Sequence, residues 1–174
     1  MRRLSSFATG PVLALALLAS GAAALAYSTN GHAWGTRVVS YYVNPTNLYV
    51  PNDVAVASIQ TGAGVWNAQG NADVQLSYAG TTSRSSLSLD YTNNVFFRND
   101  TSGAIAETYW WWDGTGRLVD ADIVFHQNYK AYANGMPCAG DGYYIESTVA
   151  HEFGHALGLG HSAVETATMY PSVA

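Results

Sequence analysis

The spacing of hydrophobic and polar positions changes period several times along this chain, and each change predicts an element. From Arg37 to Val43 the run RVVSYYV is rich in β-branched and aromatic residues and is closed by Asn44-Pro45, which predicts a strand. Pro51-Asn52-Asp53 supplies turn and N-cap chemistry, and Ala55, Ile59, Ala63 and Trp66 then recur at helical spacing until Gly70. Gly62 and Gly64 weaken that helix, which must rely on packing. The runs VQLSY (74–78) and NVFFR (94–98) predict two strands separated by a polar, serine-rich loop. AIAETYWWW and LVDADIVFH flank Asp113-Gly114-Thr115-Gly116, a hairpin signal. Alternation in the second of these strands puts Val119, Ala121, Ile123 and Phe125 on one face and Asp120, Asp122 and His126 on the other. Trp110-Trp111-Trp112 reads as core and sheet surface rather than as a ligand cage. After a loop punctuated by Gly135, Pro137, Gly140 and Gly142, residues Ile145, Val149, Phe153 and Ala156 follow a helical period, with Ser147 as its expected N-cap. The order is strand, helix, four strands, helix, an α+β arrangement.

Composition adds a compartment to this picture. Met1-Arg2-Arg3 precedes the small-residue apolar run PVLALALLASGAAALA, which ends in Ala24-Leu25-Ala26. This predicts a secretory signal peptide over 1–26, cut before Tyr27, too short and too interrupted by Ser20 and Gly21 to span a membrane. Residues 27–174 are then one domain, secreted or periplasmic, without a stable membrane anchor. The whole chain carries 7 basic and 12 acidic residues, a net charge of −5, and loss of Arg2 and Arg3 takes this to −7. No basic run exists to neutralise phosphates, so nucleic acid is excluded as a partner. The lone Cys138 has no partner for an internal disulfide; it is read first as a free, buried thiol and otherwise as one paired outside the chain.

The candidate chemistry lies in the second helix. HEFGHALGLGH, residues 151–161, holds three of the five histidines and a glutamate. Positions i and i+4 of a helix share a face, so His151 and His155 can turn ring nitrogens to one ion. Glu152 sits beside the first of them, rotated about 100° around the axis, where it can reach a water on a metal without displacing it. Continued helix would place Gly158 on the same face. Instead Gly158 and Gly160 predict a helix end and a sharp turn that returns His161 to the ion. Three neutral imidazoles with an open fourth position describe a catalytic zinc site, whereas structural sites are closed by four protein ligands. A zinc there acidifies water and polarises a carbonyl, and the expected reaction is hydrolysis of a peptide bond.

HExxHxxGxxH followed by a methionine turn, here Thr166 to Pro171, resembles the metzincin metallopeptidases. Ser162 directly after the third histidine and the wording Met169-Tyr170-Pro171 are most similar to the matrixin branch and its compact secreted bacterial members. The resemblance implies a zincin-like catalytic domain: a mixed, five-stranded, twisted sheet with a backing helix and an active-site helix. It implies zinc on His151, His155 and His161, Glu152 as general base and proton donor, and Met169 as an apolar floor. An antiparallel edge strand, best matched by Ala104 to Thr108, would pair with an extended polypeptide substrate, and the cleft would be walled partly by Tyr170 to Val173.

The departures from that pattern also carry expectations. Only His32 and His126 lie outside the cluster, so a second, structural zinc is not expected. Calcium is open: Asp120 and Asp122 share a strand face and are equally well read as calcium ligands or as solvated or backbone-bonded carboxylates. No cysteine precedes the domain, which argues against latency by a cysteine switch. Related domains continue past the methionine turn into a final helix that this sequence, ending at Ala174, does not contain, so a C-terminally truncated domain is expected. The sequence thus predicts a monomeric, secreted zinc endopeptidase. Two alternatives stand beside it: a catalytically silent secreted zinc-binding module or truncated fragment, and a zinc hydrolase for a small amide.

Overall fold

The computed structural model describes residues 28–171. The expected signal peptide and the last three residues, among them Val173 of the expected cleft wall, lie outside them.

The elements follow the order β1 (Ala33–Trp34), β2 (Val38–Asn44), α1 (Asn52–Asn67), β3 (Gln75–Thr81), β4 (Asn93–Arg98), β5 (Ala106–Trp112), β6 (Arg117–His126), β7 (Ala131–Tyr132), β8 (Tyr143–Tyr144) and α2 (Ile145–Ala156). The main sheet is mixed, as expected, but has six strands rather than five. The addition is β1, which runs parallel to the start of β6 through Ala33 and Trp34. A two-residue strand leaves no alternation to read. Strands β3, β2, β4 and β6 are parallel neighbours, and β5 is antiparallel to β6, with Ala106 opposite Phe125 and Thr108 opposite Ile123. Among the described residues β5 pairs with no other strand, so its outer edge is free. Strands β7 and β8 form a separate short parallel pair before α2.

Both helices bury their apolar faces with the core-facing residues of the sheet. Ala55, Ile59 and Ala63 of α1 and Ile145, Val149 and Phe153 of α2 are buried with Tyr41, Val43, Val95, Ile123 and Phe125. Each large side chain among these contributes on the order of 1.5–3 kcal/mol. The two glycines of α1 differ. A Cβ at Gly62 would stand 2.2 Å from Val149 Cγ1 and 2.8 Å from the Glu146 carbonyl oxygen, whereas Gly64 has open space around it. Gly62 therefore marks the crossing of the two helices. Trp66 Nε1 and Ser58 Oγ fasten the same crossing, donating to the Ala150 carbonyl at 2.7 Å and to Glu146 Oε1 at 2.6 Å.

Neither helix start has the side-chain cap expected for it. The N-cap positions are Pro51 and Tyr144, without side-chain cap bonds. Ser147 lies inside α2, and its hydroxyl donates to the Tyr144 carbonyl at 3.1 Å instead. The helix starts directly from β8, so the strand geometry rather than a capping hydroxyl sets its first residue.

The other face of the sheet is covered by the loop between β3 and β4. Asp120 and Asp122 are fully buried there. Asp120 Oδ2 accepts from the backbone of Asp90 and Tyr91, both at 2.7 Å, and Asp122 accepts from the backbone of Ser88 and Asn94 at 3.1 and 3.0 Å. These carboxylates are bonded to backbone rather than solvated. Burial raises both above the ordinary aspartate range, and the N–H donors oppose that shift. Trp110 packs partly buried against the core and Trp112 is exposed, stacked on His32 with ring centres 4.3 Å apart. Cys138 is free and half-buried rather than buried. No helix among the described residues is long and apolar enough to cross a membrane.

Candidate metal centre and the cleft around it

Helix α2 ends at Ala156, and Gly158 adopts φ +95°, the left-handed turn expected of it. A Cβ at Gly158 would meet the His32 carbonyl oxygen at 2.4 Å, and one at Gly160 would meet Ser28 Oγ at 2.4 Å. The turn after the helix is thus pressed against the segment that precedes β1. That segment pairs with it: Thr29 bridges Leu159, Asn30 N donates to the Gly158 carbonyl, and Gly160 N donates to that of Ser28. The third histidine is returned to the helix on a loop held from both sides.

His151, His155 and His161 then converge, with one ring nitrogen from each within 4.8 Å of the others. Their second nitrogens decide the chemistry. His151 Nδ1 lies 2.8 Å from the Thr168 carbonyl oxygen, and His155 Nδ1 lies 2.8 Å from that of Leu159. A carbonyl only accepts, so in each ring Nδ1 carries the proton and Nε2 presents its lone pair. His155 Nε2 and His161 Nε2 stand 3.2 Å apart. Two nitrogens each about 2.0–2.1 Å from one tetrahedral ion are separated by about 3.3 Å, so the spacing fits zinc. Burial holds His151 and His155 below the usual imidazole range, which favours the neutral, ligating form.

The methionine turn lies under this set. Met169 is buried, and a Cβ on Gly154 would collide with its sulfur at 2.1 Å, so the thioether occupies the space that Gly154 leaves on α2. The turn also holds the histidines in place. Thr168 accepts from His151, and the Met169 carbonyl accepts from Ser162 N at 2.7 Å, directly after His161.

Glu152 is buried beside these histidines and lines the same cleft, a cavity of about 680 Å³ bounded by Gly103 to Thr108 on one side and Tyr170 and Pro171 on the other. Burial pushes its carboxyl up to about 7, and a hydrogen bond from Thr108 works against that shift. The edge strand expected at Ala104 to Thr108 is at the cleft, with its regular part beginning at Ala106. Thr108 is the participant that motif reading missed. Its signal was available in the strand's alternation, which places a hydroxyl between Ala106 and Trp110 on the face that meets the helices.

His126 stands apart from the cluster. It is 1% exposed, with Nδ1 2.7 Å from Asp100 Oδ1 and Nε2 2.8 Å from Glu107 Oε2. Among the described residues the three histidines of the α2 region are the only group of three metal-ligating side chains.

The family model for matrixins matches residues 33–174. The chain belongs to the matrixin family. Curated matrixin relatives align over short stretches: metalloendoproteinase 1-MMP of Arabidopsis thaliana is 62% identical over 29 residues, 17% of this chain and 8% of its own length. Matrix metalloproteinase-9 of Canis lupus familiaris is 59% identical over 34 residues, 20% of this chain and 5% of its own length. The alignments therefore span less than a tenth of either relative. Matrixins are zinc-dependent metallopeptidases, and the three histidines of this matrixin fit that metal.

Proposed function

We propose that this matrixin is a secreted zinc endopeptidase that hydrolyses peptide bonds of extended polypeptide. The observation that carries the reading is the convergence of three imidazole nitrogens beside a buried carboxylate. His155 Nε2 and His161 Nε2 face each other at 3.2 Å with the outer nitrogen of His155 already committed to a carbonyl, a spacing that a cation held between them fits. Zinc in that place supplies an acidified water and a Lewis acid for the peptide carbonyl.

The remaining work falls to the chain's own residues. His151, His155 and His161 would hold the ion, and the carbonyls of Thr168 and Leu159 keep the first two rings in the ligating tautomer. Glu152 takes a proton from the attacking water and returns it to the leaving amine. Its raised position near 7 suits a group that must both accept and release a proton near neutral pH. The free edge of β5 aligns the substrate by main-chain pairing, which gives affinity with little sequence choice.

The test is cleavage of an unfolded polypeptide by the full chain, before and after removal of metal with a chelator. Activity that disappears with the chelator and returns with added zinc supports the reading. A chain that binds zinc, stays folded and cuts neither unfolded protein nor extended peptides would replace it with the silent-module alternative.

A further inference from the structure

We propose that Thr108 is a positioning residue that joins the substrate-pairing edge to the catalytic base. The inference rests on the reading of Glu152 as that base.

Thr108 Oγ1 lies 2.6 Å from Glu152 Oε2 and 3.0 Å from the Glu152 carbonyl oxygen. The hydroxyl has one proton to give, and the shorter contact directs it to the carboxylate, with the carbonyl of the same residue beside it. Among the described residues Glu152 has no other side-chain hydrogen bond to protein, so without Thr108 its carboxylate has no polar partner that fixes its rotation. A terminal carboxylate torsion is broad and nearly two-fold, so packing alone does not choose a direction for it. With Oε2 engaged by the hydroxyl, Oε1 is the oxygen left for the attacking water.

The same residue belongs to the edge that would receive substrate. His126 N donates to the Ile105 carbonyl at 2.9 Å, which turns the main chain of Ile105 toward β6. In an antiparallel ladder the N–H and C=O of one residue point to the same side, and the next residue points to the other. Ala106 and Thr108 therefore offer their main-chain groups to the free edge. Thr108 presents its backbone to a paired substrate and its hydroxyl to Glu152, so the distance between substrate register and base is set within a single residue. A shift of the edge strand moves both together.

Thr108→Val keeps the shape and the β-branched packing but removes the donor; Thr108→Ser keeps the donor and removes the methyl. For the valine variant we expect kcat to fall about 10- to 100-fold, the scale of a misplaced catalytic group, with KM within about twofold of wild type. Zinc stoichiometry and Tm should stay near those of wild type, and serine should restore kcat to within about threefold. A valine variant with undiminished kcat, or a loss shared equally by serine, overturns the proposal. So does a loss that appears in zinc content or Tm instead of kcat, which would make Thr108 a structural tie between β5 and α2.

A crystal structure of Thr108→Val gives a readout independent of turnover. The Glu152 carboxylate is expected to rotate or to occupy more than one position, and an unchanged carboxylate contradicts the proposal. Failure of the base reading has a different signature: Glu152→Gln would then cut as well as wild type, whatever Thr108 does.

Discussion

Two histidine environments in this matrixin are built from the same side chain in opposite ways. In the α2 region, carbonyls take the protons of the outer nitrogens of His151 and His155, and their inner nitrogens are left turned toward His161. At His126 both ring nitrogens face carboxylates, Asp100 on one side and Glu107 on the other. Both of its ring nitrogens are thus occupied by acidic partners, and neither is left to face an ion. The first environment leaves ring nitrogens turned to a common point where an ion fits, and the second leaves none. Proximity of histidine to acidic groups therefore says little about metal until the partner of each ring nitrogen is known.

The contrast is broken most strongly by removing a ligand. His155→Ala is expected to weaken zinc binding by more than about 100-fold, beyond the usual loss from an outer-shell change, as measured by competition with a chromogenic chelator. His126→Leu should leave zinc affinity nearly unchanged in the same assay. If both variants lost zinc equally, the two environments would not be separate.

A smaller effect concerns the protein without metal. Glu152 is raised from 4.5 to about 7, so between those values the folded chain holds a proton that the unfolded chain has released. Stability of the metal-free protein should therefore fall as pH rises from 4.5 to 7, by up to about 3 kcal/mol from this group. Asp120 and Asp122, also raised by burial, act in the same direction, so the measurement is the difference between wild type and Glu152→Gln in denaturant unfolding at several pH values. Parallel curves would show that Glu152 is not held in the protonated form.

His126→Leu comes next in size. It leaves Glu107 without its buried partner, while Asp100 keeps Arg98, and should cost about 2 kcal/mol of stability, readable as a lower Tm with one zinc still bound. The effect on the cleft should be local, because the Ile105 carbonyl is also held by the backbone of residue 126.

A last pair of variants separates the two glycines of α1. Gly62→Ala forces a methyl into the helix crossing and should destabilise by about 1–3 kcal/mol. Gly64→Ala meets nothing and should stabilise by about 0.5–1 kcal/mol. Thermal unfolding of the pair gives shifts of opposite sign.

These cases also show what the sequence could carry. The ligand helix, its glycine stop and the return of the third histidine were legible because each depends on neighbours within eleven residues. The edge strand was legible because the hairpin and alternation are local. The β1 strand was too short to have a pattern. Asp120 and Asp122 could be placed on one face but not assigned partners, since the backbone groups they bind arrive from about thirty positions away in the chain. Gly62 looked like a weakness in its own helix because the helix that requires it lies more than eighty residues further on. Ser147 had the composition of a cap, but β8 runs directly into α2 and set the start at Ile145. Local signals brought the three histidines to one place; contacts between distant segments decided which polar residues serve structure.

The most direct test of the zinc-and-glutamate account is zinc content and polypeptide cleavage measured on one preparation each of the wild type and Glu152→Gln. The account predicts one zinc per chain in both proteins and cleavage by the wild type alone, since glutamate moves protons without ligating the ion. Equal cleavage by the two proteins, or loss of zinc from the variant, would contradict it.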